Sequence, residues 1–149
     1  NGGVDLDHFI FTAKKGQRII VNAWAWRLDS KLDATLIVYD PAGRVRLVVG
    51  SPGGSSIINY VTKAILATVD WKLDPQAAVA LPNFGSRNGP VELEQDTPVV
   101  ALADRLRALG HDVSVLPLTS GAGAILRERG TWAGGADPRR EGTARGELP

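Results

Sequence analysis

The sequence predicts a mixed α/β (α+β) fold in which antiparallel strands come first and helices follow, on three observations. Short runs of apolar and β-branched residues, broken by turn residues, fill Asn1 to Arg44. A strand, a glycine-rich turn and a helix succeed one another between Leu47 and Asp70. Further helical stripes then alternate with short strands as far as Gly134.

In the opening segment, His8, Ile10 and Thr12 alternate with Phe9 and Phe11, and Lys14 to Gln17 make a polar turn. Arg18 to Trp26 reads as a second strand, with Trp24 and Trp26 on one face at period two, as a sheet-packing surface requires. Thr35 to Tyr39 is a third strand and Val45 to Val49 a fourth, separated by the turn residues Asp40, Pro41, Ala42 and Gly43. Asp5, Asp7, Asp29, Asp33 and Asp40 have no EF-hand spacing and read as turn residues, so no metal site is expected.

Gly50 to Gly54 break the apolar run sharply, and Ser55 or Ser56 is placed to cap a helix carrying Ile57, Ile58, Val61, Ile65, Thr68 and Val69 at helical spacing. Such a turn presents unpaired backbone N–H groups at the positive end of a helix, and Gly53 and Gly54 have no side chains to block an approaching anion. Spacing alone leaves three uses open: a tight reversal, a phosphate cradle or an oxyanion hole.

Asp74 and Pro75 open a short helix through Ala80, and Gly85 to Pro90 is a loop by composition. Val91 to Glu94 is a brief strand. Thr97 and Pro98 begin a helix whose Val99, Leu102, Ala103, Leu106 and Leu109 form one stripe before Gly110, and His111 to Leu116 returns as a strand. Ala122 to Arg127 and Thr131 to Gly134 form a hairpin, and a disordered tail is expected over residues 141–149.

The chain has 149 residues and 44% hydrophobic content, enough for a core in one domain or two small ones. Seventeen basic residues against sixteen acidic ones give no footprint for nucleic acid or anionic lipid. No apolar run is long enough to span a bilayer, and the absence of cysteine excludes disulfides, thiolate metal sites and a cysteine nucleophile. Starting at Asn1 without a signal peptide, the chain reads as a processed product or a fragment of a longer protein.

Two resemblances sharpen this picture. DPAGRVRLVVGSPGGSSIINYV from Asp40, AVALPNF from Ala78, LRALGHDV from Leu106, GAGAILRERG and ADPRREG together resemble the C-terminal part of the small subunit of gamma-glutamyltransferases. DLDHFIFTAKKGQRIIV from Asp5 and LDATLIVYDPAGR from Leu32 resemble the first half of bacterial pre-peptidase C-terminal domains, β-sandwich modules of secreted enzymes. They divide the chain into strands 1–44, a transferase-like segment 45–140 and the tail, meeting at DPAGR.

The transferase resemblance implies part of an N-terminal nucleophile hydrolase αββα layer, preceded here by antiparallel strands. It also implies a periplasmic or secreted enzyme acting on gamma-glutamyl compounds such as glutathione without a cofactor. Gly53 and Gly54 would be its oxyanion donors. The nucleophile expected of that family, a threonine followed by Thr-His, has no match in the chain, and Lys31 and Leu32 stand where a substrate-binding serine pair is expected. No complete catalytic set is therefore expected.

The missing partner would be a large subunit or the rest of the small one, and an exposed sheet face would promote self-association. The alternatives are a non-catalytic β-rich accessory module and an artificial join of two families. A Ser51, His111, Asp112 triad can be assembled only on paper, and Asp137 to Arg140 reads as the family's closing phrase or as a solvated ion pair.

Overall fold

A computed structural model of the chain describes Thr12 and residues 35–146. The two strands expected before Thr35, together with Trp24 and Trp26, Asp5, Asp7, Asp29 and Asp33, and His8, Lys31 and Leu32, lie outside the described residues.

Thr35–Tyr39 (β1) and Val45–Gly50 (β2) pair antiparallel across the Asp40 turn. Asp40 makes that turn itself, its Oδ1 accepting from Ala42 N and Arg44 N at 2.9 Å each, which supports the turn reading of this aspartate. β2 then pairs with Gly123–Glu128 (β6), which turns through Arg129 and Gly130, both at positive φ, into Thr131–Ala136 (β7). The result is a four-stranded antiparallel sheet in the order β1-β2-β6-β7.

One face of that sheet carries Val38, Leu47, Val49, Ala124 and Leu126, and they pack against Ile57–Val69 (α1) and Pro75–Ala80 (α2) through Val61, Ala64, Ile65 and Val79. Asp74 caps α2 as expected, its carboxylate accepting from Ala77 N at 3.0 Å. Gly135 on β7 lets α2 lie directly on the sheet: a Cβ there would stand 2.4 Å from the Pro75 carbonyl carbon.

Among the described residues, no helix or strand packs on the other face. Ile37, Val48, Ile125 and Gly134 are register partners in a single row across the four strands. Ile37, Ile125 and Trp132 are exposed, with the Arg127 guanidinium 5.6 Å above the Trp132 ring.

Phe84–Gly85 (β3), Val91–Glu94 (β4) and Val113–Leu116 (β5) form a second sheet, antiparallel between β3 and β4 and parallel between β4 and β5. Its crossover contains a 3-10 turn at Pro98–Leu102 and the helix Ala103–Ala108 (α3). β3 takes up the first part of the span expected to be loop, because Phe84 pairs with Leu93.

Three local expectations are corrected. Ser56 occupies the N-cap of α1 without a side-chain capping bond, because a 3-10 turn at Gly54–Ser56 precedes the helix. The buried face of α1 runs through Ile57, Tyr60, Lys63, Ala64, Ala67 and Thr68, while Ile58 and Val69 of the expected stripe are exposed. The stripe from Val99 to Leu109 is broken as well. The 3-10 turn advances about 120° per residue instead of 100°, so of its large apolar residues Leu102 and Leu109 face outward and Ala103 carries the burial.

Gly135→Ala should lower stability by about 2–3 kcal/mol, because the methyl group meets the α2 backbone rather than a movable side chain. Gly123→Ala, in open space on the same sheet, should change it by less than about 1 kcal/mol. Equal urea midpoints for the two variants would contradict this packing.

Candidate functional site at the glycine turn

β2 ends at Gly50 and α1 begins at Ile57, and the residues between them make the turn the sequence singled out. Gly53 adopts φ +143° and Gly54 φ +57°, and both are exposed. The aromatic ring of Tyr60, one turn into α1, forms the floor: a Cβ on Gly53 would lie 2.7 Å from its Cε2. Gly54 faces open space. The turn carbonyls are engaged, Gly53 O accepting from Ser56 N at 3.1 Å and Gly54 O from Ile57 N. Among the described residues, neither the Gly53 nor the Gly54 N–H donates to a protein acceptor.

On its upstream side the turn is tied to the loop before β6. Ser51 is buried; its Oγ donates to Pro52 O at 2.7 Å and accepts from Gly121 N at 3.3 Å. A Cβ at Gly121 would meet Pro52 Cγ at 2.8 Å, so the two loops lie in close contact. With Ser51 so engaged, and with His111 and Asp112 exposed at the start of β5 and not bonded to it, no triad forms.

The loop containing Gly121 is held by a buried polar network that sequence reading missed. Ser120 Oγ hydrogen-bonds Asp137 Oδ2, which also accepts from Ala122 N at 3.2 Å. Arg139 Nη1 reaches Asp137 Oδ1 at 2.9 Å and its Nη2 reaches Glu94 Oε2 at 2.8 Å, with further bonds to carbonyls at the end of α2. Asn83 donates to Ser120 Oγ at 2.8 Å and Leu118 O at 2.9 Å, and its Oδ1 accepts from Lys63 Nζ at 2.8 Å. The Asp137–Arg139 pair is therefore enclosed, not the solvated pair considered above.

Burial would raise the Asp137 carboxyl, but hydrogen bonds from Ser120, Arg139 and Ala122 outweigh it and hold it below its ordinary value. Lys63 is pushed the other way for an amine. Burial, reinforced by the nearby Arg139 charge, lowers it to about 8. A legible signal did exist: Lys63 falls on the same helical face as Tyr60, Ala64 and Ala67, where a cation needs buried acceptors.

A shallow recess of about 290 Å³ lies beside Arg139, lined also by Glu94, Gln95, Asp96, Pro117, Leu118 and Thr119, and it includes neither glycine. No cluster of acidic, histidine or cysteine side chains suited to a metal ion occurs among the described residues. Among them, too, no helix is long and apolar enough to cross a membrane.

Residues 22–147 match the family described as Gamma-glutamyltranspeptidase. The chain belongs to that family. It is 32% identical over 103 residues to the glutathione hydrolase proenzyme of Bacillus subtilis, covering 67% of this chain and 18% of that protein. It is 35% identical over 103 residues to the acylase ACY 1 proenzyme of a Pseudomonas species, covering 68% of this chain and 18% of that one. The chain thus spans less than a fifth of either proenzyme. The structure superposes on a gamma-glutamyltranspeptidase of Helicobacter pylori with a TM-score of 0.65 at 28% identity, over 78% of this chain and 65% of that one.

The mixed α/β architecture is thereby that of gamma-glutamyltranspeptidases with the N-terminal nucleophile hydrolase fold. The family match begins at residue 22, inside the stretch read as a pre-peptidase-like module. Trp24, Trp26 and β1 fall within the transpeptidase span, which leaves the module likeness and an artificial join without support.

Gly53→Ala should destabilise the chain more than Gly54→Ala, since the first adds a clash with the Tyr60 ring and the second only left-handed backbone strain of about 1–2 kcal/mol; equal melting shifts would contradict it. Lys63 sets a pH dependence. The folded state releases its proton near pH 8 while the unfolded chain keeps it to about 10.5, so stability should rise by about 2 kcal/mol from pH 8 to 10. Urea midpoints across that range should show the rise in the parent chain and not in Lys63→Met; a fall would reverse the assigned sign.

Proposed function

We propose that this chain supplies the oxyanion-binding part of an acyl-transferring gamma-glutamyltranspeptidase-family enzyme, with Gly53 and Gly54 N–H as the donors, and that it does not catalyse the reaction alone. One observation carries the reading: in a chain of this family, two adjacent exposed amides donate to no acceptor among the described residues where a strand passes into a helix. In the complete reaction an N-terminal threonine oxygen attacks the carbonyl carbon of a gamma-glutamyl amide. The negative charge that forms on the carbonyl oxygen is received by the two N–H groups; the amine then leaves with a proton, and water or a second amine releases the acyl group.

The open sheet face gives the proposal its partner. The row Ile37, Val48 and Ile125, with Trp132 beside it, is the surface on which the second sheet of an αββα sandwich would pack, carried by the remainder of the small subunit and the large subunit. The threonine and the groups that grip the glutamyl amine and carboxylate would arrive with that remainder. Alone, the chain is expected to self-associate through this face.

Purified chain incubated with gamma-glutamyl p-nitroanilide should release no p-nitroaniline above the blank, since the covalent route needs a nucleophile that it does not contain. Saturable turnover stoichiometric with the chain would overturn the proposal. In the complete polypeptide that carries this chain, Gly53→Ala keeps the N–H but redirects it by crowding the Tyr60 ring, so kcat should fall with KM little changed, and an unchanged kcat would remove the oxyanion role.

A further inference from the structure

Arg87 lies in the exposed connection between β3 and β4, yet its guanidinium is fixed at two points. Nη1 donates to Ser55 Oγ at 2.6 Å, and Nη2 donates to Glu92 Oε1 at 2.6 Å. Ser55 directly follows the paired glycines. Glu92 stands on β4, whose sheet is separate from the one that ends in the glycine turn. The Glu92 carboxylate is mostly covered, at 12% side-chain exposure, and so offers a firm anchor.

A second contact joins the same two regions. Gly85 on β3 lies against Asn59 in the first turn of α1, so closely that a Cβ would come within 2.1 Å of Asn59 Nδ2. The β3–β4 hairpin therefore touches the start of the helix from the side, and Arg87 reaches past that contact to the turn itself. Such a tie matters most at consecutive glycines, which have the widest choice of backbone conformations and would otherwise be the least ordered part of the site.

We propose that Arg87 is a positioning residue for the glycine turn: Glu92 orients its guanidinium, the guanidinium holds Ser55, and Ser55 fixes the direction of the Gly53 and Gly54 N–H groups. Ser51 and Gly121 hold the turn from upstream, and the Glu92–Arg87–Ser55 clasp holds it from downstream. The competing role is an ordinary exposed ion pair between Arg87 and Glu92, with the contact to Ser55 incidental. Its catalytic meaning rests on the oxyanion reading, whereas the clasp itself does not.

The test is ¹⁵N relaxation on the full 149-residue chain. Order parameters at Gly53 and Gly54 should fall from about 0.85 toward 0.6 or below in Arg87→Ala and in Ser55→Ala, with the amides of β2 and α1 unchanged. The double variant should be no looser than either single one, as expected for two ends of one contact. Arg87→Lys should restore part of the order. Glu92→Gln, which keeps the shape of the anchor, supplies the same readout if Arg87→Ala folds poorly.

Unchanged glycine order parameters in the Arg87 and Glu92 variants, or additive effects of the Arg87 and Ser55 changes, would overturn the proposal. Its failure is separable from that of the oxyanion role. A loosened turn in Arg87→Ala together with an unchanged kcat in Gly53→Ala would retain the clasp and remove the catalytic reading; the opposite pair of results would do the reverse.

Discussion

Arg139, set between Glu94 and Asp137, is the interaction on which the rest of the described structure depends. Glu94 ends β4 in the three-stranded sheet and Asp137 follows β7 in the four-stranded one, so a single guanidinium joins the two sheets. The same guanidinium reaches the Val79, Ala80 and Leu81 carbonyls at the end of α2. Removing one member of such an enclosed set leaves a buried charge without its partner, a loss of about 3–5 kcal/mol in comparable cases. The Asp137–Arg139 segment is therefore a structural bolt for the segments that surround the glycine turn.

From that bolt the path to the turn is short. Asp137 fixes Ser120, Gly121 touches Ser51 and Pro52, and the two glycines follow. On the helix side, Tyr60 lies under Gly53, and burial raises its hydroxyl above the usual tyrosine value, so the floor of the turn stays uncharged. The turn owes its openness to the absence of side chains and its shape to neighbours that a local sequence window cannot show.

That contrast explains what was legible. The strand from Leu47, the glycine turn, the Asp74 cap, the stop at Gly110 and the hairpin at Arg129 and Gly130 all rest on local chemistry, and the sequence displays them. The buried network does not announce itself. Lys63 is followed by Asn83 twenty positions later and Arg139 far beyond, and only the pairing of the sheets brings them together. Misreading the α1 stripe had the same source. Ile58 and Val69 are large and apolar yet exposed, because the close approach to the sheet favours the small Ala64 and Ala67. For the stripe after Pro98, a 3-10 turn shifted the phase that a uniform helix would have kept. The glycine turn is displayed locally, whereas the Arg87–Ser55 hydrogen bond is not, because the two residues lie on different elements.

The most direct measurement is a structure of the complete polypeptide carrying this chain, trapped as a tetrahedral adduct with a gamma-glutamyl analogue. Both Gly53 N and Gly54 N should lie about 2.7–3.1 Å from the oxygen that replaces the substrate carbonyl. An adduct oxygen held by other donors, with these two amides bonded to protein carbonyls, would contradict the oxyanion role of the turn.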